Sequence, residues 1–242
     1  MRYAAHVPLE GIGEAGQARI SSAHVALVGL GGLGCAIAQY LTSSGIGRLT
    51  LCDYDRVAES NLSRQILYRP GDVGRLKTAA AGEALGALNP DTSLHTVDKR
   101  MHVDDMQVLF PGCDLIIDAS DNYGTRLAVN RVCRQLGKPW VMASCIRLEG
   151  QVMLLRPDVD GQPCYRCVYG SAPDTLEDCP GAGIFAPVAG VIGTSGAHFA
   201  LAHLAGMDMP RGIHVFDGGN WSWRTLAAAR DPQCPDCAGN VK

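Results

Sequence analysis

Arg64 and Lys77, with Asp121 further along the chain, are the residues best suited to chemistry on a charged ligand, because of what precedes them. The apolar run His24 to Val28 leads directly into Gly29-Leu30-Gly31-Gly32-Leu33-Gly34, and Leu51-Cys52-Asp53-Tyr54-Asp55 follows about 20 residues later. Glycines in such a turn let the backbone approach a phosphate, and the helix they open offers unpaired N–H groups and the positive end of its dipole. Asp53, with Asp55 beside it, can accept hydrogen bonds from a ribose. A dinucleotide held for hydride transfer is bound mainly by backbone and dipole, with little use for two more cations at this place. A nucleoside triphosphate that is split does need them. Arg64 and Lys77 would then neutralise phosphates and a pyrophosphate leaving group, while Asn61 and Gln65 supply neutral hydrogen bonds. Solvated surface charges are the alternative. Asp121, after an apolar strand, is a hard carboxylate suited to Mg²⁺. Asp121-Asn122 also suits a helix N-cap.

A second chemistry lies in the ten cysteines. Cys164 and Cys167, and Cys234 and Cys237, form two CxxC pairs. In a reducing compartment these read as a four-thiolate, tetrahedral zinc site with no position open to water, and so as structural. Such a metal would tie a late loop to the C-terminal tail; a redox dithiol plus a chance pair is the alternative. Cys35, Cys52, Cys113 and Cys133 sit in apolar or helical segments and read as core. Cys145 has little claim to reactivity, and Cys179, in a Pro/Gly-rich loop, is either an incidental thiol or a reactive one.

The elements that must position these residues alternate. Strands are expected near 24–29, 48–53, 92–97, 114–119 and 139–145, and helices near 33–44, 75–88, 103–109 and 124–136. Asn89-Pro90 and Gly137-Lys138-Pro139 punctuate them. This alternation predicts an α/β fold with a Rossmann-like, doubly wound, mainly parallel sheet. After Gly150 the pattern changes to strands at 151–156, 213–217 and 221–228 around an apolar helix near 189–205, an added antiparallel portion. Residues 1–242 are expected to form a single domain, with 1–150 as its nucleotide-binding part and 151–242 as its zinc-tied part.

At 242 residues the chain can bury a sizeable core, and a net charge of −3 points to neither a nucleic-acid nor a membrane surface. The start, Met1 to His6, lacks the apolar run of a signal peptide, so a cytoplasmic location is expected. Gly181 to Gly206 contains no Lys, Arg, Asp or Glu, but its Pro187, glycines and two histidines suit a buried helix better than a membrane span.

Taken together the motifs resemble the ThiF/MoeB/HesA family, bacterial relatives of the ubiquitin-activating enzymes. The resemblance rests on the glycine turn, Asp53-Tyr54-Asp55, Ser60-Asn61-Leu62-x-Arg64-Gln65, Lys77, Ser120-Asp121-Asn122, Arg147-Leu148-Glu149-Gly150-Gln151 and both CxxC pairs, and it runs nearly the full length. It implies adenylation, with ATP and Mg²⁺, of the C-terminal glycine carboxylate of a ubiquitin-like sulfur carrier ending in Gly-Gly. Gly32 and Asp53 would hold the adenosine part, within a nucleotide site made of Gly29, Gly31, Gly34, Asp55, Ser60, Gln65 and Asn122. Asn61, Arg64 and Lys77 would surround the phosphates, Asp121 would lie near Mg²⁺, and the four paired cysteines would bind zinc. It also implies a homodimer and a separate sulfurtransferase or cysteine desulfurase, and Cys179 matches a cysteine that can link covalently to a carrier or a sulfur-relay partner.

Members of the family usually carry a second arginine in the opening Arg-Tyr-x-Arg motif, which reaches the neighbouring subunit's ATP site; here that position is Ala5. Retained but slower chemistry is therefore one expectation, and a carrier- and ATP-binding protein with weak catalysis is another. An NAD-dependent oxidoreductase on the same fold lacks an evident catalytic set. The motifs near 146–151 resemble the molybdopterin branch and those near 216–224 the thiamine branch.

Overall fold

The computed structural model describes residues 2–170 and 183–237. Among these, eight strands form one sheet in the order β3-β2-β1-β4-β5-β6-β7-β8. The parallel part comprises β1 (His24–Val28), β2 (Arg48–Cys52), β3 (Ser93–Val97), β4 (Leu115–Asp118) and β5 (Trp140–Ile146). The antiparallel part adds β6 (Glu149–Leu155), β7 (Ile213–Asp217) and β8 (Ser222–Leu226). Strand order reverses between β1 and β4, and open α/β sheets bind ligands in the crevice beyond the carboxyl ends of their strands at such a switch.

Both faces of β1, β2, β4 and β5 are largely covered, which explains their mainly apolar character, whereas the edge strand β3 is mostly exposed. Along β1, Val25 and Leu27 enter one core, with Leu33, Ile37 and Leu41 of α2 (Gly32–Ser43), Leu85 of α3 (Lys77–Leu88) and Ile192 and Phe199 of α7 (Ala186–Ala205). Ala26 and Val28 enter the opposite core, with Met106 of α4 (Val103–Leu109), Val129 and Val132 of α5 (Tyr123–Leu136) and Tyr165 of α6 (Tyr165–Tyr169). A strand's period of two thus divides its side chains between two helical layers.

The apolar stretch near 181–206 resolves, over its described residues, into α7. It is long and apolar enough to cross a membrane. Its packing against α2, β5 and β6 accounts for that composition, because the helix is a core element with neighbours on several sides.

Two elements departed from expectation. α1 (Gly13–Ser22) was not foreseen, since its sequence, rich in Gly, Ala and Ser, carries only a weak apolar stripe; Gln17 and Ile20 anchor it inward. α6 is a single short turn that starts after Cys164 and contains Cys167, too brief to show periodicity.

Candidate functional site

The glycine turn is shaped by two backbone approaches. Gly29 has φ +94°, and a Cβ there would lie 2.9 Å from the Ala119 backbone at the end of β4. A Cβ on Gly34 would lie 2.0 Å from the Gly29 carbonyl oxygen, so Gly34 brings the first turn of α2 onto the loop. Gly31 is the N-cap of α2 and offers no side-chain hydrogen bond, which leaves the helix's first N–H groups for a ligand. Asp53 braces the loop from β2: one carboxylate oxygen accepts from Leu30 N at 2.7 Å and the other from Asp55 N at 2.8 Å. Each oxygen keeps a second lone pair for a ribose hydroxyl.

These groups open into a cavity of about 330 Å³ at the β1–β4 switch, within the usual size range of a small-molecule site. Gly29, Gly31, Gly32, Asp53, Asp55, Asn61, Arg64, Gln65, Lys77, Asp121 and Asn122 all line it. Gly34 and Ser60 do not: the first packs behind the loop, and the second offers its carbonyl to Arg64 at 3.2 Å. Lys77, the first residue of α3, is 5% exposed and its Nζ lies 2.8 Å from Asp55 Oδ2. Asn122 takes the N-cap of α5, accepting from Thr125 N at 2.8 Å, a bond worth about 1 kcal/mol. Asp121 is exposed at the cavity wall, and since Asn122 holds the cap Asp121 need not serve it. Gln65 Oε1 and Ser120 Oγ line the same space, buried and without a partner among the described residues, as befits a site built for a polar ligand.

Residues the motifs did not flag also reach the wall. Lys99, Arg100 and Met101 follow β3, and Arg100 sits 5.8 Å over the Tyr54 ring. Arg126 comes from the second turn of α5 and Cys145 from β5, where burial pushes its thiol up to about 11. The signal for Arg126 was its place one turn beyond the Asp121-Asn122 helix start. Behind the wall, Asp118 is fully buried at the end of β4, and desolvation raises its carboxyl above the ordinary value of 3.8 despite the nearby Arg126.

The second site is built across a sequence gap. Cys164, Cys167, Cys234 and Cys237 place their four sulfurs within 4.8 Å of one another. Three of the separations are 3.7, 3.6 and 3.6 Å, close to the edge of about 3.8 Å for a tetrahedron with Zn–S bonds of about 2.3 Å. The donor set and geometry therefore fit zinc. Buried Asn130 of α5 supports the cluster: its Nδ2 lies 3.6 Å from Cys164 Sγ and 2.9 Å from Asp236 Oδ2, and its Oδ1 accepts from Tyr165 N at 2.9 Å. Cys179 lies outside the described residues.

The N-terminal segment is tied to the other end of the sheet. Tyr3 Oη accepts from Asn89 Nδ2 at 2.9 Å, Arg2 donates to Leu88 O at 3.1 Å, and His6 pairs with Gln17 at 2.8 Å. Leu88 and Asn89 close α3 just before β3 begins, so Arg2, Ala5 and His6 lie at the amino ends of the strands, away from their own chain's cavity.

The model of the ThiF family matches residues 3–236. The sulfur carrier protein ThiS adenylyltransferase of Escherichia coli is 37% identical over 241 residues, covering 99% of this chain and 96% of that protein. The molybdopterin-synthase adenylyltransferase of the same organism is 37% identical, covering 98% of this chain and 96% of its own length. The SAMP-activating enzyme E1 of Haloferax volcanii is 36% identical, with coverage of 98% and 88%. Among solved structures, the crystal structure of E. coli MccB with ATP superposes with a TM-score of 0.82 at 24% identity, over 93% of this chain and 69% of that one, a likeness of fold.

Proposed function

The chain belongs to the ThiF family, and from that premise we propose that it is an adenylyltransferase that activates the C-terminal glycine carboxylate of a ubiquitin-like sulfur carrier with ATP. One observation carries this reading: a single cavity at the β1–β4 switch gathers the glycine turn, Asp53, Arg64, Lys77 and Asp121.

In the proposed reaction Asp53 accepts from the ribose of ATP and the amino end of α2 faces its phosphates. A carboxylate oxygen of the carrier forms a bond to the α-phosphorus, and the bond from that phosphorus to the bridging oxygen breaks, with its electron pair leaving on pyrophosphate. No proton needs to move and no side-chain nucleophile is required. The catalytic demand is to bring two anions together and to stabilise the one that leaves, which Arg64 and Lys77 meet by charge and Asn61 and Gln65 by orientation. Asp121 would hold Mg²⁺, which supplies further neutralisation of the triphosphate; one exposed carboxylate beside substrate phosphates is a usual arrangement for this ion. Cys164, Cys167, Cys234 and Cys237 would hold zinc as a closed structural site.

The carrier is of the ThiS or MoaD kind, which the names of the relatives support for thiamine and molybdopterin biosynthesis respectively. A homodimer, a separate sulfurtransferase or cysteine desulfurase as sulfur donor, and a cytoplasmic location complete the reading. The four-thiolate cluster is in keeping with a reducing compartment. Ala5 favours a second reading, a carrier- and ATP-binding protein with weak catalysis. ATP–pyrophosphate exchange with Mg²⁺, measured with each Gly-Gly-ended carrier in turn, tests both. Carrier-dependent exchange is expected, and ATP binding without exchange would establish the second reading instead.

A further inference from the structure

Arg126 belongs to none of the motifs that mark the nucleotide site, yet it lines the cavity. Its Nη2 donates to the Ser120 carbonyl at 2.6 Å, which ties the guanidinium to the wall just beyond β4. Its Nε is buried with no hydrogen-bond partner among the described residues. Asp118, fully buried at the end of β4, lies near enough for the two groups to interact, although burial raises its carboxyl above the ordinary value. A buried guanidinium donor left without a partner at a cavity wall points to a ligand that supplies one.

Its place along the cavity indicates the ligand. The sheet order runs from Asp53 after β2, through the glycine turn after β1 and Ser120-Asp121 after β4, to Cys145 on β5. Arg126 stands near the start of α5, the helix that joins β4 to β5, and so lines the cavity on the β4–β5 side of the switch, away from Asp53. Lys77 is on the other side, joined to Asp55 after β2. A nucleotide with its ribose at Asp53 and its leaving pyrophosphate toward Lys77 exposes its α-phosphorus to attack from the β4–β5 side.

We propose that Arg126 receives the attacking carboxylate: its guanidinium binds the C-terminal carboxylate of the acyl substrate on the β4–β5 side of the α-phosphate, in line with the departing pyrophosphate. The planar fork of arginine matches a carboxylate through two parallel hydrogen bonds, a fit that lysine cannot reproduce. The proposal rests on the adenylation reading above and adds the residue that selects and aims the acyl substrate.

The test uses the full chain with its zinc, comparing Arg126→Gln and Arg126→Lys with the unmutated protein. ATP affinity without carrier is measured by titration, and carrier-dependent ATP–pyrophosphate exchange is resolved into kcat and carrier KM. For Arg126→Gln, ATP affinity stays within about twofold while kcat/KM for the carrier falls by about 100-fold or more. Arg126→Lys recovers only part of this loss. Where Arg126→Gln loses zinc or its cooperative melt, the charge-conserving lysine variant carries the comparison. Unaltered carrier kinetics in the Arg126 variants would overturn the proposal alone, and so would ATP affinity falling in step with exchange, which makes Arg126 a phosphate ligand. Absence of exchange in the unmutated protein with every carrier overturns the adenylation reading, and this proposal with it.

Discussion

Lys77 Nζ and Asp55 Oδ2 stand 2.8 Å apart, with the lysine side chain 7% exposed and the aspartate side chain 49% exposed. The lysine that the family motif assigns to phosphate thus has an anionic partner within its own chain. That partner faces solvent, so on the proposed reading an arriving phosphate would exchange one anion for another around a fixed cation. A buried cation left without either partner would be costly.

Two variants separate these roles. Lys77→Ala should reduce exchange by about 100-fold or more, because a phosphate-facing donor is lost and Asp55 is left to repel the nucleotide. Asp55→Asn should cost the ligand-free protein about 1–3 kcal/mol and much less when it is saturated with ATP. Thermal melts with and without nucleotide would show this as an enlarged ATP-induced shift; equal shifts in the variant and the unmutated protein would refute the exchange of partners.

The four-cysteine cluster should hold one zinc per chain, and stripping it under reducing conditions should remove roughly 10 kcal/mol or more of support from the segments it joins. Elemental analysis and a melt after chelation check this. Asn130→Ala should weaken zinc binding by about 10- to 100-fold without touching a ligand, because Asn130 orients both Cys164 and the Tyr165 backbone. Zinc affinity is the readout, and an unchanged value would restrict Asn130 to core packing.

Asp118 supplies a pH prediction with a definite sign. Its folded carboxyl titrates above the ordinary 3.8, so the unfolded chain releases this proton first and the charge burdens the folded state at neutral pH. The contribution of Asp118 to stability is therefore full below about pH 4 and is lost as pH rises through the folded value. Asp118→Asn should raise the melting temperature at pH 7, and that gain should shrink toward pH 4. A gain that is independent of pH would point to packing instead. Because Asp118 also lies near Arg126, the variant should lose activity where it gains stability.

Ala5 is exposed on an N-terminal segment anchored by Arg2 and His6 at the amino ends of the strands. Neither of those residues lines the cavity of its own chain, so in the proposed homodimer a substitute for the arginine that Ala5 replaces would act across the subunit boundary. Ala5→Arg should raise turnover, since an arginine supplied in trans to a phosphoryl site can be worth on the order of a thousandfold. Exchange rates for the two proteins decide it, and no gain would mean that the missing guanidinium does not limit the rate.

Much of this protein is legible without coordinates because its signals are local. The strand–turn–helix at 24–43, the acids at 53 and 55, the cations at 64 and 77, and the cap at 122 are set by residue type and by spacing within one or two elements. All of these lie close to a strand's carboxyl end, where a doubly wound sheet gathers ligand groups. The paired spacing of the cysteines likewise indicated a metal. Tertiary structure alone decided what long-range packing decides. It joined Lys77 to Asp55, placed Gly34 behind the loop, and turned Lys99, Arg100, Cys145 and Arg126 toward the cavity. A helical arginine has the same sequence signature whether it meets solvent or a ligand. What distinguishes Arg126 is that it donates to the Ser120 carbonyl just beyond β4 and leaves a buried Nε without a partner among the described residues at the cavity wall, and no local period records that.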